Sequence, residues 1–216
     1  MKKALITWGG WDGHEPDKTA KIFEDILKKE NYDVTVVTDY KWLDDKEYIQ
    51  TLDLVVPVHT GSGPVDKAND FSALIKSGTG LGGWHGGMCD SSTHPEYMFM
   101  TGGKFVCHPG GIVEYEVNIT KKDDLIVKGL NDFKMNSEQY YMLVDPHIEV
   151  IAETTFRDRP DWWGYEFVKG VTMPVVWKRM WGKGKVFYCA LGHVAKDFDV
   201  PEAKEIVRRG LLWATR

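Results

Sequence analysis

The sequence predicts an α/β fold built on a parallel sheet with helices on both faces. Three observations carry that prediction. Short apolar runs such as Ala4-Leu5-Ile6 and Leu54-Val55-Val56-Pro57-Val58 lack the polar alternation of a half-exposed strand. Segments of helical period separate them, several opened by proline. Glycine-rich stretches stand where the apolar runs stop, and alternation of this kind belongs to βαβ units.

In order, Lys3 to Trp8 is expected as a buried first strand, followed by Gly9-Gly10-Trp11-Asp12-Gly13-His14-Glu15. Pro16 suits the first turn of a helix that places Ala20, Phe23, Ile26 and Leu27 on one face. Asp33 to Thr38 is the second strand, Asp44 to Gln50 a short helix, and Leu52 to Val58 the third strand, ending on His59-Thr60-Gly61-Ser62-Gly63. Pro64 opens a helix with Ala68, Phe71, Leu74 and Ile75 on one face, closing at Gly78.

The stretch Leu81-Gly82-Gly83-Trp84-His85-Gly86-Gly87-Met88-Cys89-Asp90 then ends a strand abruptly and starts a helix. Glycine tolerates the backbone angles and close approaches such a turn demands. Gly83-Trp84-His85-Gly86-Gly87 copies the spacing of a nucleophile elbow, with an imidazole where serine or cysteine normally sits. Read alone, the same residues also suit a glycine-rich loop whose histidine only bonds its neighbours.

Beyond the elbow, His94-Pro95 opens a short helix that stops at Gly102-Gly103, and Lys104 to Gly111 reads as a strand end and turn. Strands are expected over Ile112 to Thr120, Ser137 to Val144 and Ile148 to Glu153, with turn and loop from Asp123 to Phe133. Arg157 to Phe167 reads as a surface loop or partner-contacting flap. Its Asp161-Trp162-Trp163-Gly164-Tyr165 points to homo-oligomer contact, since interface cores favour Trp and Tyr. Met173 to Trp177 and Lys185 to Ala190 form a hairpin around Trp181-Gly182-Lys183-Gly184, and Leu191-Gly192-His193 ends its second strand. Pro201 begins the last helix, with Ile206, Val207, Leu211, Leu212 and Trp213 available to the sheet. No repeat or linker interrupts residues 1–216, so one domain is expected.

Composition narrows the function. A net charge of −5 argues against nucleic acid, which needs a basic patch. No apolar run approaches the ~18 residues of a membrane span, and the N-terminus lacks the pattern of a secretory signal. Three widely spaced cysteines make no disulfide framework, so the expected compartment is the cytoplasm. Nine tryptophans are many for one core, and some would serve where an apolar face meets a polar ligand.

Ligands of parallel α/β sheets bind beyond the carboxyl ends of the strands. His14, His59 and His85 each follow a different strand and so converge on that edge, which is stronger evidence than any one of them. His193 is a fourth histidine at a strand terminus.

With the elbow, Glu138-Gln139-Tyr140-Tyr141 and the run Pro174-Val175-Val176-Trp177 through Gly182-Lys183-Gly184-Lys185-Val186-Phe187-Tyr188 to Leu191-Gly192-His193, the chain resembles the ThuA-like trehalose-utilisation family. That family lies within the class I glutamine amidotransferase-like superfamily, and the resemblance covers nearly the whole chain. It implies a flavodoxin-like three-layer α/β sandwich with a mainly parallel central sheet. It also implies carbohydrate metabolism, acting on trehalose-type disaccharides or their 3-keto derivatives. The departure from true amidotransferases is informative. His85 replaces the elbow cysteine, and His193-Val194-Ala195 is not the expected His-x-Glu, so thiolate hydrolysis of glutamine is not expected. Cys89, one helical turn on, is read as a structural thiol.

The residues expected to carry chemistry are His85, His193 and Glu138, because imidazole moves protons near neutral pH. His14, Trp11, Trp84, His59, Asp90 and Tyr140 are expected to contact a carbohydrate. His14, His85, His108 and His193, with Glu138, also make a donor set for zinc or a related divalent metal, although no local metal motif is present. Core packing is an equal expectation for Trp11 and Trp84, as is helix capping for Asp90. His94 and His147 are read as turn and surface residues. Two functions stay open: an enzyme using acid/base or metal-assisted chemistry, and a sugar-binding or regulatory module that has lost the superfamily's nucleophile.

Overall fold

In the computed structural model, which describes residues 1–158 and 164–216, the chain opens with β1 (Lys2–Gly10) and α1 (Pro16–Lys29). There follow β2 (Tyr32–Val37), α2 (Lys46–Gln50), β3 (Leu54–Thr60), α3 (Ala68–Ser77), β4 (Gly80–Trp84) and α4 (His85–Cys89). Next come α5 (Pro95–Thr101), β5 (Gly103–Cys107), β6 (Ile112–Ile119), β7 (Phe133–Glu138), β8 (Tyr141–Val144) and β9 (Glu149–Thr155). The chain ends with α6 (Tyr165–Val168), β10 (Thr172–Trp181), β11 (Gly184–Cys189) and α7 (Pro201–Ala214).

Nine strands form one sheet in the order β2-β1-β3-β4-β11-β10-β9-β6-β7. The first five are mutually parallel, in the spatial order of a flavodoxin-like sheet. The hairpin β10–β11 reverses the direction, and the sheet continues antiparallel through β9, β6 and β7. Helices α1 and α7 cover one face, while α3, α4 and α5 cover the other. The central strands are apolar on both sides because both sides are covered: every residue from Leu54 to His59 is buried. Edge strand β2 has no buried residue, and its half-buried positions are interspersed with exposed ones. Proline occupies the first turn of α1, α5 and α7, where its missing N–H costs nothing. Among the described residues no helix is long and apolar enough to cross a membrane.

Two expectations need correction. Ser137 to Val144 is not one strand. Phe133–Glu138 pairs with β6 in the main sheet, whereas Tyr141–Val144 pairs with β5 in a separate two-stranded ladder. The chain changes partner at Gln139-Tyr140, where Gln139 is anchored by its Nε2–H to Thr154 Oγ1 at 2.8 Å. Alternation records faces, not partners, so it hides such a switch. The segment Arg157 to Phe167, expected as loop, includes the helical turn α6; its aromatic residues 161–163 lie outside the described residues.

Candidate functional site

The elbow exists, and His85 sits at its strained position with φ 48, a left-handed backbone rare for a residue with a Cβ. Its neighbours are glycine because the turn leaves no room. A Cβ on Gly83 would lie 2.9 Å from Met88 Sδ, on Gly86 2.8 Å from His14 Cε1, and on Gly87 2.8 Å from the Val58 backbone. Backbone strain of this kind costs about 1–3 kcal/mol and persists only where the surroundings enforce it. Here Tyr188 donates its hydroxyl to the His85 carbonyl at 3.1 Å. The His85 ring is fixed at Nδ1, 2.9 Å from the Ala190 carbonyl.

That bond determines the tautomer. A carbonyl only accepts, so Nδ1 carries a proton and Nε2 is the nitrogen turned towards Glu138 Oε2, 3.1 Å away. A bare ring nitrogen and an ionised carboxylate do not approach this closely unaided, so a proton or a cation belongs between them. Two more imidazoles face the other carboxylate oxygen: His108 Nε2 at 3.4 Å and His193 Nε2 at 3.5 Å from Glu138 Oε1. The His14 ring packs edge-on against those of His85 and His193, with centroids at 4.8 and 5.1 Å. Four loops and strand ends thus deliver four imidazoles around one carboxylate that is only 7% exposed.

The electrostatics separate the roles. Burial, then the like charges of His85 and His193, pull His14 down to about 3, so it is neutral at physiological pH. Burial and His85 lower His193 as well. For Glu138, burial favours the protonated acid, but the His85 hydrogen bond and the charges of His85, His193 and His108 outweigh it and hold the carboxyl below its ordinary value. His14, His85 and Glu138 each offer a ligand atom within 4.8 Å of the others, a nitrogen–oxygen set that suits a divalent cation of the zinc type. His108 and His193 reach the same carboxylate but fall outside that compact set.

Glu138, His14 and His108 open onto a cavity of about 440 Å³ walled by Trp11, Asp90, Phe105 and Tyr140. Tyr140 stacks on the His85 ring at 4.0 Å and packs at a tilt against Phe105, with centroids 4.3 Å apart. Trp11, 59% exposed, stands edge-on to His14 at the rim. Asp90 is paired with Lys104 at 2.6 Å on the wall.

Two expected contacts lie elsewhere. His59 is 3% exposed, and both its ring nitrogens are bonded inside the protein, to Thr7 Oγ1 at 2.8 Å and Ser62 Oγ at 3.1 Å. The reason is strand alternation. On β3 it is Thr60 that turns to the site, bonding His14 Nδ1 at 2.6 Å, and its neighbour must face the other way. Trp84, 1% exposed, packs between Phe23 and Phe198, with the Phe23 ring centroid at 4.5 Å, and belongs to the core. His94 caps α5, accepting from Glu96 N at 3.2 Å, and His147 is exposed. Cys89 is buried and its thiol is pushed far up by that burial, so it offers no thiolate.

The sequence reading did not single out Asp197, Thr60 or Phe105, and it left Glu15 without a role. Asp197 Oδ2 accepts from Ser137 Oγ at 2.5 Å and from His193 N at 2.9 Å, tying the end of β7 to the loop after β11. Glu15 Oε2 accepts from Ala195 N at 3.0 Å and ties the first loop to that same loop. An Asp four residues after a strand-end His is the one available signal, and it is faint.

The ThuA family model, described as trehalose utilisation, matches residues 3–214. No curated protein matches the sequence. Among solved structures, a ThuA-like protein from Bacteroides uniformis superposes with a TM-score of 0.77 at 18% identity, covering 99% of this chain and 91% of that one. A ThuA-like protein from Parabacteroides merdae gives 0.74 at 19% identity, covering 99% and 89%. A β-galactosidase from Bacillus circulans sp. alkalophilus gives 0.63 at 14% identity, covering 99% of this chain but 30% of its own, a likeness of fold alone. On the extent of the family match, the chain belongs to the ThuA family and is a carbohydrate-metabolism protein related to trehalose utilisation.

Proposed function

We propose that the protein is a cytoplasmic enzyme acting on trehalose-type disaccharides or their 3-keto derivatives, with His85 and Glu138 as its proton-transfer centre. The observation that carries this reading is the 3.1 Å approach of His85 Nε2 to Glu138 Oε2 while His85 Nδ1 is committed to a carbonyl. A proton held between them is poised for delivery to a sugar oxygen entering the cavity. His14, kept neutral, is the complementary acceptor, and its Nε2 has no hydrogen-bond partner among the described residues. His193, beside the same carboxylate, shares its charge and steers the proton. Tyr140, backed by Phe105, keeps water from one face of the His85 ring, and Trp11 offers an aromatic edge to a pyranose at the rim.

The donor set also fits a divalent metal, which His14, His85 and Glu138 would hold and which would polarise a keto-sugar oxygen as a Lewis acid. The test is turnover of trehalose and 3-keto-trehalose by the wild type, with zinc added or withheld, beside His85→Ala and Glu138→Gln. Loss of turnover by 100-fold or more with sugar binding retained is the expected result. Saturable sugar binding by a wild type that turns over neither sugar would identify a binding module instead.

A further inference from the structure

We infer that the cavity on the far side of His193 is a second sugar subsite, so that a disaccharide lies across the Glu138–His193 pair with one ring on each side. This inference rests on the carbohydrate reading above and specifies how that site divides its substrate. The second cavity has a volume of about 480 Å³, close to the about 440 Å³ of the first. Both fall within the ~300–1,000 Å³ of small-molecule pockets. The partition between them is thin. Glu138 opens onto the first cavity, His193 onto the second, and their Oε1 and Nε2 are 3.5 Å apart. The neighbouring residues Ser137 and Glu138 at the end of β7 line different cavities.

The lining of the second cavity suits a sugar ring, which offers hydroxyls around its rim and C–H bonds on its faces. Met135, Ile112 and Val200 supply apolar surface. The Asn136 amide, the Lys196 ammonium and the Asp199 carboxylate supply donors and acceptors, and none of these three side chains has a hydrogen-bond or ion-pair partner among the described residues. Three unpartnered polar groups around an apolar floor, directly beside His193, are placed to take the hydroxyls of a second ring. The bond joining the two rings then falls over Glu138 and His193, where a proton is needed if it is to break.

Calorimetric titration with trehalose and with glucose as probes tests this, on the wild type and on an Asn136→Ala/Lys196→Ala double variant. Both substituted side chains reach solvent, and a thermal melt confirms the fold. The wild type should bind trehalose at least tenfold more tightly than glucose. In the double variant trehalose affinity should fall about tenfold, towards that of glucose, as expected for two lost hydrogen bonds to ligand. An Asn136→Trp variant, which fills the cavity, should weaken trehalose binding further. Undiminished preference for trehalose in both variants overturns the second subsite and leaves the carbohydrate reading standing. Failure of the wild type to bind either sugar overturns both.

Discussion

The adjacent elbow glycines Gly86 and Gly87 should give opposite outcomes when each is changed to alanine. A methyl on Gly86 would lie 2.8 Å from His14 Cε1, 2.9 Å from Thr60 Oγ1 and 3.1 Å from His14 Nδ1. Ordinary contact starts at 3.4 Å, so the ring must retreat by the shortfall, 3.4 − 2.8 = 0.6 Å. Gly86 is not among the positive-φ glycines, so alanine can take its backbone. The retreat strains or breaks the His14–Thr60 bond, about 1 kcal/mol, while alanine for glycine within a helix returns about 1 kcal/mol. Stability should therefore stay within about 1 kcal/mol of wild type, a melting shift of about 2–4 °C or less. The site should fare worse, since functional geometry tolerates only about 0.5 Å and a ~1 Å error costs about 100-fold. Gly87→Ala instead drives its methyl to 2.8 Å from the Val58 Cα, backbone of a central strand that cannot yield, and should cost about 1–3 kcal/mol. Thermal melts and sugar turnover or zinc affinity, measured on both variants, read the two effects separately. Full activity in Gly86→Ala, or a large loss of stability there, would refute the placement of His14 against the elbow.

Further outcomes follow from the same contacts. Thr7 Oγ1 donates to the Asp39 carbonyl at 2.9 Å, so it accepts from His59 Nε2–H, and burial pulls His59 down to about 4 from 6.5. Because the unfolded chain takes up this proton first, the neutral ring's contribution is complete above pH 6.5 and is lost as pH falls towards 4. It is of order 3 kcal/mol. Denaturant midpoints should fall less steeply over that window in His59→Gln than in wild type, and equal slopes would contradict the burial argument. Asp197→Ala strands the Ser137 hydroxyl and the His193 N–H, and urea melts should show about 2–3 kcal/mol of destabilisation; an unchanged midpoint would mean the clamp is not formed. Trp84→Ala should cost about 3–5 kcal/mol, while Trp84→Phe keeps sugar affinity. Trp11→Ala should leave the melting point almost unmoved and weaken sugar binding about 3- to 10-fold; the reverse pattern in these two tryptophans would exchange their roles.

Much of this was written in local patterns. Uniformly apolar runs marked β1 and β3 as interior strands, prolines marked where α1 and α7 start, and the glycines around His85 marked the elbow, because each is a demand on one short segment. The strand ends also showed which loops reach the site. What the pattern did not carry was direction and partnership. His59 and Thr60 both end β3, and only the pleat decides that the threonine meets His14 while the histidine turns to Thr7. Beside the elbow, Trp84 suited the cleft and the core alike, and as the last residue of β4 it points into the Phe23 and Phe198 cluster. The switch of Gln139-Tyr140 from one sheet to another, which brings Glu138 and Tyr140 to His85, leaves no mark in hydrophobic period. Asp197 acts through a backbone N–H and a serine, groups too common to announce a role.

The ties that assemble the site span most of the chain. Glu138 meets His85 across 53 residues, His85 meets Ala190 across 105, and Glu15 meets Ala195 across 180. Contacts of such separation form late, because the intervening chain must be closed before they are rewarded. A nascent or partly unravelled molecule therefore holds these histidines apart from Glu138 and lacks the assembled site. Conversely, a ligand that recognises the closed constellation and not its pieces adds its binding free energy to the stability of the whole molecule, so occupancy of the cleft is readable as resistance to unfolding at either terminus.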